Sequence, residues 1–305
     1  HNLEAIVCFG FAGASPKLME LCCERGVALS FLSSYGKFLG RVTGRINGNV
    51  LLRRTQYRWA DDVDISTRLS RRFISAKIMN SRSLLHRALR DHYDMVNKES
   101  IEYFMSRSVQ LVKNLEKAND GDSIRGIEGE AASLYFSNFN ELIVQQKEDF
   151  VFGTRQRRPP TDRINALLSF LYTLLAHEVK AALESVGLDP QVGFLHRDRP
   201  GRAGLALDLM EELRPHFADR LAATLINRKQ ITAEGFIVKE NGAVLMSDET
   251  RKEVLGAWQS KKSEEIVHPY LEEKVMIGLI PYIQSLLLAR HMRGDLDDYP
   301  PFFWR

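Results

Sequence analysis

The sequence predicts an α+β protein: a small β-rich N-terminal domain with one helix over residues 1–47, then a large all-α domain over residues 48–305 carrying one β-hairpin. Three observations predict it. The apolar runs AIVCF (5–9) and VALSF (27–31), with β-branched and aromatic content, read as buried strands on either side of a helix that Ser15 caps, Pro16 opens and Gly26 closes. Beyond Gly48 apolar residues recur at helical spacing for most of the chain. The one interruption, FIVKENGAVLMS at 236–247, sets two apolar strands around Asn241-Gly242, the strongest short-range hairpin signal.

In chain order, a third strand is expected over 37–43 and a hinge at Gly44, Asn47, Gly48 and Asn49. Helices are expected near 49–60, 64–93, 99–118, 127–145, 161–186, 205–226, 248–262 and 268–293. The longest apolar stretch, 275–289, is interrupted by Pro281 and Gln284 and falls short of the ~20 apolar residues a bilayer span needs, so no membrane role is expected. Hydrophobic residues at 44% and charged residues at 27% are the proportions of a globular chain, not a disordered one. Cys8, Cys22 and Cys23 crowd at one end without a C-x-x-C spacing, which points to a reducing cytoplasm. Because the first residue is His1 and not Met, the start of the natural chain is expected to be missing.

The net charge of +3 hides an asymmetry. Between positions 41 and 90 there are twelve basic residues against Asp61, Asp62 and Asp64, which favours a polyanion-binding face over an evenly basic surface. A solvated helix face explains the same charges equally well.

The most informative line is GFLHRDRPGRAGLALDLMEELRP, 193–215. Asp208 sits among Leu205, Leu207, Leu209, Met210 and Leu213, and a carboxylate buried there needs a cation or strong donors to compensate it. Asp208 and Glu211, three apart, share a helix face. His196 precedes the turn Arg199-Pro200-Gly201-Arg202, which can fold it back over the start of that helix. A histidine with carboxylates suits Mn²⁺ or Mg²⁺. In GIEGEAASLYFSNFNELI, 126–143, Glu128 and Glu130 are expected in the first turn of a helix, where its dipole alone accounts for them. His177, His216, Trp258, Trp304, Arg228 and Lys229 read as ordinary packing or helix-exit residues.

Together GIEGEAASLYF, FLHRDRPGRAGLALDLMEELRP, RQRRPPTDRINALLSFLYTLL and the ending YPPFFWR resemble CRISPR-associated protein 1, the integrase of spacer acquisition. NVLLRRTQYRWA and the tail resemble its subtype I-C branch. The resemblance implies that strands normally precede the segment starting at His1. It implies that Glu128, His196 and Glu211 hold one divalent metal, Mg²⁺ or Mn²⁺, with Asp208 a further essential acid beside it and Glu212 structural. It also implies a homodimer acting on double-stranded prespacer and repeat DNA with CRISPR-associated protein 2, and an association with CRISPR-associated protein 4. The nucleophile would be the 3′-hydroxyl of incoming DNA, so no Ser or Cys nucleophile is required.

Candidate DNA contacts follow from the basic clusters: Arg53, Arg54, Arg72, Lys77 and Arg82 in the basic segment, Arg155, Arg157 and Arg158 before a stiff Pro159-Pro160, and Arg197, Arg199 and Arg202 flanking His196. Two other readings stand beside the integrase: a structure-selective, metal-dependent nuclease on branched DNA, and a non-catalytic DNA-binding scaffold.

Overall fold

The computed structural model describes residue 3 and residues 5–34, 38–42, 49–156 and 159–304. Strands β1 (Ala5–Phe9), β2 (Ala28–Leu32) and β3 (Phe38–Val42) form one sheet in that order. Helix α1 (Pro16–Arg25) makes the crossover that lets β1 and β2 run parallel, while β2 and β3 are antiparallel. Its punctuation is the expected one: Ser15 accepts from the Leu18 N–H, Pro16 opens the first turn, and Gly26 closes the helix at φ 68°. The expected hinge residues Gly44, Asn47 and Gly48 lie outside the described residues, as do the ends of the expected third strand, Lys37 and Thr43. Asn49 is the N-cap of α2 (Val50–Asp61).

The remainder is mostly helical: α3 (Val63–Asp91), α4 (Lys98–Lys117), α5 (Gly121–Ser137), α6 (Arg163–Ser185), α7 (Gly204–Glu211), α8 (Arg220–Asn227), α9 (Asp248–Lys262) and α10 (Ile280–Arg293). The α+β class, a small N-terminal sheet and a large helical part, is as the sequence predicts. Helix α6 is the core of the bundle, and α10, α7 and the hairpin pack on it. It is also the one described helix long and apolar enough to cross a bilayer, and 56% of that stretch is buried inside the protein.

Three expectations need correction. Helix α5 begins at Gly121, not 127, because Asp120 caps it by accepting from the Asp122 and Ser123 N–H groups. Glu128 therefore lies in the middle of the helix, where the dipole no longer accounts for it. The single helix expected over 205–226 is interrupted by a π-helical stretch at Pro215–Asp219, where a proline inside the helix removes a donor and crowds the preceding turn. The helix expected over 268–293 starts only at Ile280. Before it, β6 (Glu265–Val267) and β7 (Lys274–Met276) pair as an unforeseen hairpin. The expected hairpin around Asn241-Gly242 forms as β4 (Phe236–Val238) and β5 (Val244–Met246), with Gly242 at φ 77°.

His177 of α6 faces Lys180 and Arg41 of β3; burial and these cations lower its pKa from 6.5 to about 4. Between those values the unfolded chain binds a proton that the folded chain refuses, so stability is present above pH 6.5 and is lost as pH falls toward 4. Thermal melts from pH 7 to 4 should show a decline to which His177 contributes on the order of 2 kcal/mol. His177→Gln should flatten that part of the curve; an unchanged slope would contradict the assignment.

Candidate active site

Helix α7 starts where the chain folds back on residues 190–196. The Gly204 N–H donates to the Gln191 carbonyl at 2.9 Å, and the Ala206 N–H to the Pro190 carbonyl at 3.3 Å. The turn that returns the chain closes with the Arg202 N–H on the Arg199 carbonyl at 3.0 Å, Pro200 supplying a fixed φ and Gly201 a φ of 75°. Gly193 makes the approach possible. A Cβ there would stand 2.5 Å from the Gly204 backbone carbon and 2.7 Å from Asp208 Oδ2.

This fold-back resolves the puzzle of the carboxylate among leucines. Asp208 is wholly buried, and its Oδ2 accepts from the Phe194 N–H at 2.6 Å and the Leu195 N–H at 3.1 Å. Its Oδ1 accepts from the His196 N–H at 3.0 Å and lies 2.7 Å from His196 Nδ1. Both oxygens are occupied, so Asp208 orients the imidazole. With Nδ1–H donated to Asp208, the Nε2 lone pair faces the site, the arrangement typical of a histidine held as a metal ligand. That Nε2 is 4.0 Å from Glu211 Oε1.

Glu211 of α7 and Glu128 of α5 approach each other across α3, whose Lys77 reaches between them. The Lys77 ammonium ion-pairs with Glu128 Oε1 and with Glu211 Oε2, the latter at 2.8 Å. On the other side Arg214 Nη1 meets Glu211 Oε1 at 2.8 Å. Burial opposes the Glu211 charge, but Arg214, Lys77 and His196 outweigh it and hold its pKa down at about 2. Burial likewise opposes the Lys77 charge, and Glu211 and Glu128 outweigh it, so the lysine titrates above its ordinary value. Two carboxylates and an imidazole nitrogen form a donor set suited to Mg²⁺ or Mn²⁺. Among the described residues Glu211 Oε2 is buried without a geometric hydrogen bond and pairs with the Lys77 ammonium. Among the described residues no three such side chains converge closely enough to hold a metal, and at this site the ammonium stands where they would meet.

Behind the acids lie supports that, apart from Glu212, sequence reasoning missed. The Arg214 guanidinium lies 5.1 Å from the Tyr172 ring centre, and the Tyr172 hydroxyl donates to Asp219 at 2.7 Å, as the Tyr135 hydroxyl does at 2.9 Å. Burial, partly offset by these donors, raises the Asp219 pKa to about 6. Glu212, fully buried, accepts from the Tyr299 hydroxyl at 2.5 Å, the Phe302 N–H at 3.0 Å and Gln284 Nε2 at 3.1 Å. Asn80 Nδ2 donates to the carbonyls of Glu212 and Phe302, and its Oδ1 accepts from the Trp304 N–H. The C-terminal segment thus clamps the residue next to Glu211. Arg214 was within reach of sequence reasoning, standing three residues after Glu211 on the same face.

The candidate DNA contacts divide. Lys77 is not on an outer basic face: its side chain is 12% exposed and engaged by the two acids. Arg155 also points inward, donating to Asn165 Oδ1 at 2.8 Å with its guanidinium 5.1 Å from the Tyr172 ring centre. Arg72 is paired with Asp298, Arg53 donates to the Gly187 carbonyl and Arg82 to the Met105 carbonyl. Arg54, Arg197 and Arg199 are exposed and Arg202 half-buried, the last three on the loop and turn that follow His196. Arg157 and Arg158 lie outside the described residues. Trp258 packs against Phe217, and Trp304 stacks on His216 with ring centres 4.3 Å apart.

The profile of the family described as "CRISPR associated protein Cas1" matches residues 1–260. A "CRISPR-associated endonuclease Cas1 1" of Chlorobaculum tepidum is 50% identical over 305 residues, covering all of this chain and 89% of that relative. The chain belongs to the Cas1 family. Its relatives include a "CRISPR-associated exonuclease Cas4/endonuclease Cas1 fusion" of Geobacter sulfurreducens, 34% identical over 98% of this chain and 54% of the fusion. The Cas1 fold is shared with a "Casposase bound to integration product", at a TM-score of 0.85 and 22% identity over 98% of this chain and 80% of the other. It is shared too with a chain of a "Cas6-RT-Cas1--Cas2 complex", at 0.79 and 24% over 99% of this chain and 32% of that one. Membership of a family of named endonucleases makes this Cas1 chain an enzyme of nucleic acids.

Proposed function

We propose that this Cas1 chain is a divalent-metal-dependent DNA integrase that joins the 3′-hydroxyl ends of prespacer DNA into a repeat array by transesterification. The observation that carries this is the grouping around Glu211 of residues from three separate segments: Lys77 bridges it to Glu128, and His196 Nε2 lies 4.0 Å from its Oε1. Glu128, His196 and Glu211 would hold Mg²⁺ or Mn²⁺. The bound ion would polarise the target phosphodiester and stabilise charge developing on its in-line oxygens. Asp208 fixes the ring orientation and tautomer of His196, Arg214 fixes Glu211, and Arg197, Arg199 and Arg202 at the mouth hold DNA phosphates. Arg54 extends that contact along the duplex.

The chain acts as a homodimer with a Cas2 partner, and with a Cas4 partner if it is of subtype I-C. A Cas1–Cas2 assembly of the same fold and the naturally fused Cas4–Cas1 relative support these partnerships.

The test is joining of a 3′-hydroxyl duplex to a repeat-containing target by the purified chain with its Cas2 partner and Mn²⁺. The wild type should join, and His196→Ala should lose on the order of 100-fold or more of that activity. Full joining by His196→Ala with unchanged metal dependence would overturn the site. Cutting of branched DNA without any joining would replace the integrase by a structure-selective nuclease.

A further inference from the structure

Lys77 presents a physical conflict with the proposed metal site. Its ammonium contacts one oxygen of each carboxylate that is to bind the metal, and its side chain is only 12% exposed. A hard divalent cation takes oxygen ligands at about 2.0–2.2 Å, so the Glu128 and Glu211 oxygens would have to close on one centre. The ammonium occupies the ground between them. Ion and ammonium therefore compete for the same two oxygens. Electrostatics sharpen the competition, since Arg214 already holds the other Glu211 oxygen at 2.8 Å. A divalent ion added beside both cations would meet strong like-charge repulsion.

We infer that Lys77 is an internal counter-cation: it holds Glu128 and Glu211 together in the metal-free protein and is displaced from their oxygens when the divalent ion binds. The inference rests on the metal-site reading above. Without the ammonium, two carboxylates, one of them 4% exposed, would repel each other and loosen the packing of α5 and α7 on α3. With it, the site stays folded and ready, and part of the intrinsic metal affinity is spent on breaking the ion pairs. Lys77 needs only a rotation about its flexible stem to leave, because Glu128 beside it is 28% exposed and marks the open side.

The experiment measures Mn²⁺ binding to the full chain from the free-ion electron paramagnetic resonance signal, for the wild type, Lys77→Met and Glu211→Gln, with melts of each in a chelator. Methionine keeps most of the stem and removes the charge. Lys77→Met should bind Mn²⁺ roughly tenfold more tightly than the wild type, as expected when a charged hydrogen bond no longer has to be broken. It should melt lower than the wild type in chelator, and Mn²⁺ should close that gap. Equal or weaker Mn²⁺ binding by folded Lys77→Met, or an unchanged melt in chelator, would overturn the inference. Should the variant not fold, the wild type still decides it: Mn²⁺ should raise acylation of Lys77 by an amine-reactive ester severalfold, read by mass spectrometry. Unchanged or diminished labelling would overturn it. Glu211→Gln separates the two failures, because Mn²⁺ binding as tight as wild type there would sink the metal site itself.

Discussion

Asp208→Asn should leave almost no joining activity and should destabilise the protein by about 2–4 kcal/mol. The carboxylate accepts four donors with two oxygens, three of them backbone N–H groups of residues 194–196. Asparagine offers one oxygen. Its amide nitrogen would have to face either the Phe194 and Leu195 N–H groups or the His196 N–H, and a buried donor against a donor leaves both unsatisfied. In the second orientation the amide also faces the imidazole, so His196 Nδ1 becomes the acceptor and the proton moves to Nε2, the nitrogen aimed at Glu211. The tautomer that the proposed metal site requires is then lost. Chemical denaturation and the joining assay read the two effects separately. A variant with wild-type activity would show that the imidazole does not depend on Asp208.

Deleting the chain from Tyr299 onward should have a still larger effect on folding. Tyr299 and Phe302 are both 1% exposed, and losing each large aromatic from a packed core costs about 3–5 kcal/mol. Glu212 would lose two of its three donors while remaining buried beneath α7. Together these approach the whole stability of an ordinary domain, so cooperative melting should vanish. Tyr299→Phe is the graded control: it removes only the hydroxyl donated to Glu212 and should cost about 1–3 kcal/mol. A deletion variant that melts cooperatively within a few degrees of the full chain would show the segment to be dispensable.

The parts of this fold that were legible in the sequence are those with local causes. Ser15, Pro16 and Gly26 mark α1 by backbone rules alone, and Asn241-Gly242 marks its hairpin. Asp208 declared itself because a carboxylate among leucines has to be compensated, although the donors that compensate it come from a loop twelve or more residues upstream. Glu128 was opaque because the Asp120 cap moves the helix start and only the packing of α5 and α7 on α3 brings it near Glu211. Lys77 was misjudged for the same reason. In sequence it is one of twelve basic residues in a charged segment, and nothing local says which of them turns inward. Arg155 is the same case, drawn in by Asn165 and Tyr172. Prolines had opposite outcomes: Pro215 is carried inside a helical run as a π-helical stretch, whereas Pro281 merely opens α10.

The clamp on Glu212 also carries a schedule. Residues 299–304 leave the ribosome roughly ninety residues after α7, an interval of several seconds at ordinary elongation rates. Throughout that interval Glu212 lacks the Tyr299 and Phe302 donors, keeping the Asn80 bond to its carbonyl and, once translated, the Gln284 bond to its carboxylate. A nascent chain thus carries all four residues of the centre long before it can lock them. Locking of the candidate centre is therefore deferred until the last residues of the clamp have been translated.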